Sequence, residues 1–310
     1  MSLIPPRDPN LVWIKARQHN KIRILDFDQF LTELGHGIVA FLRYIGELWQ
    51  RRGLISVLAG RDLKGQYEMN IVGFAWWLLE PLSMTAVYYI LINILQGGKG
   101  GDPIRVLTIL VATLPFKWFV QSLIGSMGVV RGNASLVNDV YIPRALLPLA
   151  QLAIGLAHFG VGLLVVPLFM LLLHVTPTWN ILWLPVVIAV QFIFMLGIAY
   201  IFAVWGLNYR NLPNTMNNLL RLWFYVSPAL YPLTQVTGKV RVLMYLNPLT
   251  GLFQGYRGAL LHSVRDLKTG AVLNTGPDWT LIYTLVCGVV LSILGGWYFT
   301  RREAHFGKLL

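Results

Sequence analysis

The chain has 310 residues, of which 56% are hydrophobic and only 12% charged, and its mean hydropathy is +0.61. A soluble domain carries about 25% charged residues, so water is excluded as the main surround. The formal net charge is +12. No soluble basic stretch is long enough to make nucleic acid the partner, which leaves an anionic leaflet, an anionic substrate or both. The single cysteine, Cys287, lies in an apolar run and excludes an intrachain disulfide. Residues 1–30 hold no uninterrupted apolar core of a signal peptide, so none is expected.

Residues 1–35 are polar, basic and punctuated by Pro5, Pro6 and Pro9. Ile38, Phe41, Leu42, Ile45, Leu48 and Trp49 then recur at helical spacing, with Arg43, Glu47 and Gln50 on the other side. This pattern predicts an amphipathic helix in the headgroup plane. A soluble helix packed on a partner has the same pattern. Arg51, Arg52, Arg61 and Lys64 follow at once and favour the membrane interface.

A helix crosses a bilayer core of roughly 30 Å with about 20 apolar residues. The first such run is Ile71 to about Leu95, interrupted by Glu80-Pro81. The second is Val106 to Val130, holding Pro115 and Lys117. The third is Ala145 to Val175 and the fourth Trp179 to Leu207. A polar stretch, Asn208 to Arg221, precedes a short fifth run, Leu222 to Val236, broken by Pro228 and Pro232. A half-apolar stretch covers 240–262, and the last run is Trp279 to Thr300.

Lys and Arg near the ends of spans set orientation. Residues 1–70 hold ten of them and the tail after Thr300 holds three. Both termini are therefore expected in the cytoplasm of a multi-pass protein, which needs an even number of spans. A seventh span at 241–262 would contain Arg257, at a cost of roughly 3 kcal/mol in mid-bilayer. That stretch reads as re-entrant from the outer side. The fold class expected is an all-α membrane protein with six spans, an N-terminal interface helix and a re-entrant hairpin before the last span. Its parts are a cytoplasmic segment 1–70, a transmembrane domain 71–300 and a basic tail 301–310. The five Lys and Arg of 237–268, against one acid, Asp266, are unexpected on the outer side.

Glu80 stands nine residues into the first run, roughly 14 Å deep. Lys117 stands eleven residues into the second, roughly 13 Å from the inner side of a 30 Å core. A lone charge there costs a few kcal/mol, so the two are expected to pair. The alternative is that Lys117 snorkels to the outer headgroups.

No phosphate loop is present. At Gly97-Gly98-Lys99-Gly100 the first glycine position is Asn93, and no Ser or Thr follows the lysine. No nucleophile elbow and no zinc-type histidine pair occur. His19, His36, His158, His174, His262 and His305 are scattered, and Asp26-Phe27-Asp28 lacks a nucleotide domain around it. No catalytic residue, metal site or bound cofactor is expected in this chain. Energy other than an ion gradient must come from another subunit.

Four short patches stand in order along these runs. The first is Arg61-Asp62-Leu63-Lys64-Gly65-Gln66-Tyr67, followed by Gly73, Trp77 and Pro81. The second is Asn138-Asp139-Val140-Tyr141-Ile142-Pro143-Arg144, continuing through Leu147-Pro148. The third is Ser227-Pro228-Ala229-Leu230-Tyr231-Pro232, and the fourth Asn247-Pro248 with Tyr256-Arg257 further on. Together they resemble the permease subunits of type 2 ABC exporters for cell-surface polysaccharides, over roughly residues 45–305. Glu68 and Asn70 depart from the family's usual basic or Ser residues.

The resemblance implies a homodimer in the bacterial cytoplasmic membrane, paired with two copies of a cytoplasmic ATPase that binds ATP and magnesium. It implies outward export of an undecaprenyl-diphosphate-linked polymer, most like wall teichoic acid, with O-antigen or capsule next. Asn138, Asp139, Tyr141, Pro143 and Arg144 would couple to the ATPase. Arg51, Arg52, Arg61, Asp62, Lys64 and Tyr67 would meet the diphosphate headgroup, anionic lipid or the ATPase. Trp77, Glu80, Tyr88, Lys117, Trp118, Trp223, Tyr225 and Tyr231 are pathway candidates, the aromatics serving as sliding faces for sugars, as the interfacial belt or in helix packing. Asn247, Pro248, Tyr256 and Arg257 mark the re-entrant region. Two other readings fit the residues alone: a secondary transporter coupled through Glu80 and Lys117, and a membrane-embedded transferase.

Overall fold

The computed structural model describes residues 46, 52–68, 71–95, 103–134, 143–231, 233, 236–261, 278–303 and 305–306. All belong to the compact unit Phe41–Leu310. The expected interface helix at 38–49 (apart from Gly46), Arg51, the loop 135–142 that holds Asn138, Asp139 and Tyr141, and 262–277 lie outside the described residues. The side chains of Arg52, Tyr67 and Trp77 do too.

Among the described residues every regular element is helical. These are α1 (Arg52–Glu68), α2 (Ile71–Leu95), α3 (Pro103–Gly132), α4 (Leu146–Leu163), α5 (Val165–Leu172), α6 (Leu184–Asn208), α7 (Leu212–Val226), α8 (Gly238–Tyr245), α9 (Pro248–Leu260) and α10 (Trp279–Glu303). A 3-10 turn, Trp179–Trp183, leads into α6. Four stretches have the length and apolar composition to cross a membrane: Arg105–Gly132, Leu146–Leu172, Trp179–Asn208 and Trp279–Glu303.

Contacts fix the direction of each long helix. Glu80 meets Lys117 and Thr85 meets Thr113, so α2 and α3 are antiparallel. Gly125 faces Gln151, and Gly162 faces Leu114, so α4 runs against α3. Gln191 reaches Pro115 and Arg131 reaches Leu207, so α6 runs with α3. Phe194 lies beside Gly288 and Gly197 beside Leu291, so α10 runs with α6. Tyr225 meets Tyr88, and α7 begins where α6 ends. The chain thus alternates: α2, α4–α5 and α7 point one way, and α3, α6 and α10 the other. One end of the bundle gathers Arg131, Arg144, Arg301 and Arg302 and is here called the basic end. Leu54, Ile55 and Leu58 of α1 pack there against Val130, Leu146, Tyr200, Leu207 and Phe299.

Prolines explain where the helices depart from the expected runs. The third run is divided at Leu164. Pro167 lacks an N–H and its ring crowds the carbonyl four residues back, at Leu163; the Leu164 amide instead closes a tighter turn on the Val161 carbonyl. The fifth run differs most. The stretch Asn208–Arg221, read in the sequence only as polar, is largely helical, and Pro213 opens α7 in its first turn. That helix stops at Val226 rather than continuing to Val236. Ser227 precedes a proline and is extended, with φ −88° and ψ 154°. Fifteen residues make a helix of about 22 Å, too short to cross alone. The stretch 240–262 is two helices, α8 and α9. The Asn247 side chain caps α9 by accepting from the Leu249 amide, and Pro248 fills its first turn.

α6 and α10 pack backbone to backbone. A Cβ on Gly197 would overlap the backbone of Leu291, and one on Gly295 would overlap the Gly197 carbonyl. Small residues permit such contact between apolar helices. Gly197→Ala is expected to lower stability by about 1–3 kcal/mol, the usual cost of overpacking. Thermal unfolding of the detergent-solubilised protein measures it, with Gly160→Ala as control, since nothing lies near a Cβ at that position. Equal midpoints for the two variants would contradict the close packing.

Candidate functional site

α2, α3 and α7 enclose a cavity of about 350 Å3. Its polar lining is Glu80, Lys117, Arg221, Asn217, Gln121 and Thr113, with Tyr88, Tyr225, Phe116 and Phe224 among its aromatic and apolar walls. Lys117 Nζ sits 2.8 Å from Glu80 Oε2, so the two expected partners do meet. They are unequal in exposure. Lys117 is 9% exposed, whereas Glu80 is 39% exposed toward the cavity. The low dielectric around Lys117 strengthens the attraction, and the pair relieves the cost of each lone charge at this depth.

Helical spacing brings Arg221 to the same place. Asn217, Arg221 and Tyr225 follow at steps of four along one face of α7, and Phe224 completes that face. Arg221 stands nine residues from the start of α7, roughly 14 Å along it, a depth like that of Glu80 in α2. The exposed Arg221 has no hydrogen bond or ion pair among the described residues. The lining therefore holds two cations and one carboxylate. The Tyr88 and Tyr225 hydroxyls are hydrogen-bonded at 3.1 Å and close one wall, with their rings edge-to-face at 6.2 Å. Arg221 was visible in the sequence only as the end of a polar stretch. The signal that finds it is the alternation of polar 217 and 221 with apolar 220 and 224, which marks a helix.

The patches at 227–232 and 247–257 form a second polar assembly. Arg257 is fully buried. Its guanidinium donates to the carbonyls of Pro228 (2.8 Å), Ala229 and Tyr231 (3.3 Å). Asn247 donates to Ser227 Oγ at 2.7 Å and accepts from Trp223 Nε1 at 3.0 Å. The proline-rich turn after α7 leaves carbonyls without helical partners, and Arg257 supplies the donors. Tyr256, also fully buried, packs edge-to-face on Phe159 at 5.8 Å.

The remaining sequence-picked residues lie elsewhere. Trp118 is fully buried, stacks on Phe159 at 5.1 Å and donates to the Leu152 carbonyl, away from the cavity. Trp223 belongs to the Asn247 assembly, and the Tyr231 hydroxyl meets Met244 Sδ at 3.8 Å. At the basic end, Arg61 pairs with Asp62 at 2.8 Å and donates to Asn133 Oδ1 at 2.7 Å, while Lys64 is exposed. Pro143 is buried. The Arg144 amide donates to Glu303 Oε1 at 3.0 Å, and its guanidinium donates to the Glu303 carbonyl. Arg144 thus caps the end of α10, as Arg131 caps α6 on the Leu207 carbonyl at 2.6 Å. Cations at helix C-termini complete unpaired carbonyls and oppose the helix dipole favourably. No group of three or more His, Cys, Asp or Glu among the described residues is placed to hold a metal.

Long apolar helices of alternating direction around a charged cavity define an integral membrane protein. The profile of the ABC-2 type transporter family matches residues 53–261, about two-thirds of the chain. The chain belongs to the ABC-2 type transporter family. It is 32% identical over 218 residues to the O-antigen export system permease protein RfbA of Myxococcus xanthus, spanning 70% of this chain and 83% of that protein. It is 25% identical over 258 residues to a Klebsiella pneumoniae protein of the same name, spanning 83% and 95%. The polysialic acid transport protein KpsM of Escherichia coli is 24% identical over 257 residues, spanning 81% and 94%.

Two predictions follow from this geometry. Glu80→Gln and Lys117→Met are each expected to destabilise, and the double variant to lose less than their sum by about 0.5–3 kcal/mol. Thermal unfolding in detergent measures the cycle, and strict additivity would place the two groups apart. Arg257→Met is expected to strand buried carbonyls at about 1–3 kcal/mol each. The same assay checks it, and an unchanged midpoint would mean that the turn satisfies itself.

Proposed function

We propose that this chain is the membrane-spanning subunit of an ABC exporter that carries a lipid-linked surface polysaccharide outward across the bacterial cytoplasmic membrane. Family membership carries the reading, together with relatives named for O-antigen and polysialic acid transport that align over most of their length. Those names favour an O-antigen-like polymer over the teichoic acid expected at first. The undecaprenyl-diphosphate linkage, the homodimer and the two ATPase copies belong to this proposal.

ATP and magnesium are held by the ATPase subunit. The basic end faces the cytoplasm, as the excess of Lys and Arg there favours. Both termini then lie inside, with α2, the Leu146–Leu172 stretch and α7 leading outward and α3, α6 and α10 returning. α7 completes its crossing only with the turn 227–233, and α8 and α9 form a hairpin that enters from the outer side. The loop with Asn138, Asp139 and Tyr141 couples to the ATPase, and Pro143 with Arg144 anchors its far end on α10. Arg144 therefore has a structural duty as well, so its reversal should cost stability along with coupling. The cavity lined by Glu80, Lys117, Tyr88 and Tyr225 lies on the polymer's path.

Deletion of the chain from a polymer-producing strain tests the reading. Surface polymer should vanish while lipid-linked polymer accumulates inside, and supplying this chain should restore export only where the ATPase is also present. Normal surface polymer in the deletion strain would overturn it. So would restoration of export by this chain in a strain that lacks the ATPase.

A further inference from the structure

The cavity contains a charge imbalance at a depth where charge is expensive. Lys117 and Arg221 bring two positive charges, and Glu80 answers one of them. A guanidinium at this depth is costly unless it meets a counter-charge, protein carbonyls or water. Arg257 is fully buried, and its two terminal guanidinium nitrogens donate to backbone carbonyls. Arg221 has no such arrangement. It projects from α7 into the same cavity that holds the ion pair, and Asn217 and Gln121 add further donors to that wall.

The ion pair is asymmetric in the way an exchange site requires. Lys117, at 9% exposure, is fixed in the wall, while Glu80, at 39%, is already half in the open space. Glu80 is also carried by a different helix from either cation. A carboxylate so placed can give up Lys117 to a competing oxyanion without any backbone being unpaired. Its neighbour in the chain, Pro81, is buried and fixes the α2 turn beneath it.

We propose that this cavity is an oxyanion site, and that Glu80 is its resident and exchangeable counter-ion. A phosphate or diphosphate group enters between Lys117 and Arg221. It takes the lysine from Glu80, accepts from the Arg221 fork, and leaves the carboxylate to the wet side of the cavity. Tyr88 and Tyr225 stand beside the bound group and offer hydroxyl donors. When the ligand leaves, Glu80 recovers Lys117, so the empty cavity never presents two uncompensated cations. The inference rests on the exporter reading for its biological ligand, the diphosphate of a lipid-linked polymer, but the chemistry of the site does not depend on it.

The full-length protein in nanodiscs of neutral lipid tests this, with farnesyl diphosphate, farnesol and inorganic pyrophosphate as probes and intrinsic tryptophan fluorescence as readout. Farnesyl diphosphate should bind and farnesol should not. Arg221→Gln, which removes no hydrogen bond or ion pair among the described residues, should weaken binding about tenfold, the loss of roughly one charge-assisted hydrogen bond. Glu80→Gln keeps the shape and removes the competitor, so it should tighten binding, again by about tenfold. Pyrophosphate binding as well as farnesyl diphosphate supports an oxyanion site indifferent to the tail; binding of the lipid form alone supports a headgroup site. Weaker or unchanged binding in Glu80→Gln overturns the exchange, and unchanged binding in Arg221→Gln overturns the site. Export in cells separates this from the wider reading. If wild type restores surface polymer while both variants bind like wild type, this site fails and the exporter stands. If wild type restores no polymer yet the variants shift binding as stated, the site stands and the exporter reading fails.

Discussion

The structure depends on one constraint: a polar group held at hydrocarbon depth must find its partner inside the protein. Arg257 illustrates it most fully. The Ser227-Pro228 break ends α7 and exposes carbonyls, and the guanidinium from α9 closes three of them. Asn247 repeats the solution beside it, by capping its own helix while tying Trp223 and Ser227 to the same joint. Gln191 on the Pro115 carbonyl and Ser292 on the Ile193 carbonyl do the same between long helices. The bundle is thus joined at the break after α7 and between its long helices by side chains from neighbouring helices.

The same constraint explains the basic end. Arg131 and Arg144 do not merely populate a positively charged surface. Each closes the last carbonyls of a helix running toward that end, α6 and α10 respectively. The cations gathered at that end thus finish the helices that run toward it. Arg144 joins the start of α4 to the end of α10 through both its backbone amide and its guanidinium. In the proposed exporter this is where force from an ATPase enters.

Much of the fold was legible because long apolar runs with prolines at their edges have few alternatives. The runs at 106–130 and 279–300 appear nearly where hydropathy puts them, and the pairing of Glu80 with Lys117 was legible from depth alone. α7 was not. Its ten leading residues average polar, and only their helical alternation reveals a buried face at Leu220 and Phe224. That error hid Arg221, and with it half of the cavity's positive charge. Trp118 and Trp223 show the other limit. Aromatic residues are picked out by type, but whether a ring faces a cavity or the core depends on which neighbour packs over it. Here Phe159 covers one, and Asn247 draws the other into a joint.

The central claim is that the charged cavity between α2, α3 and α7 lies on the export path. Site-specific photo-crosslinking in exporting cells tests it most directly. A photoreactive phenylalanine at Tyr225, on the cavity wall, is compared with one at Leu168, which is 54% exposed on the outer face of α5. The account predicts ATPase-dependent capture of the lipid-linked polymer at 225 and none at 168. Capture at 168 with none at 225 would place the path elsewhere and contradict it.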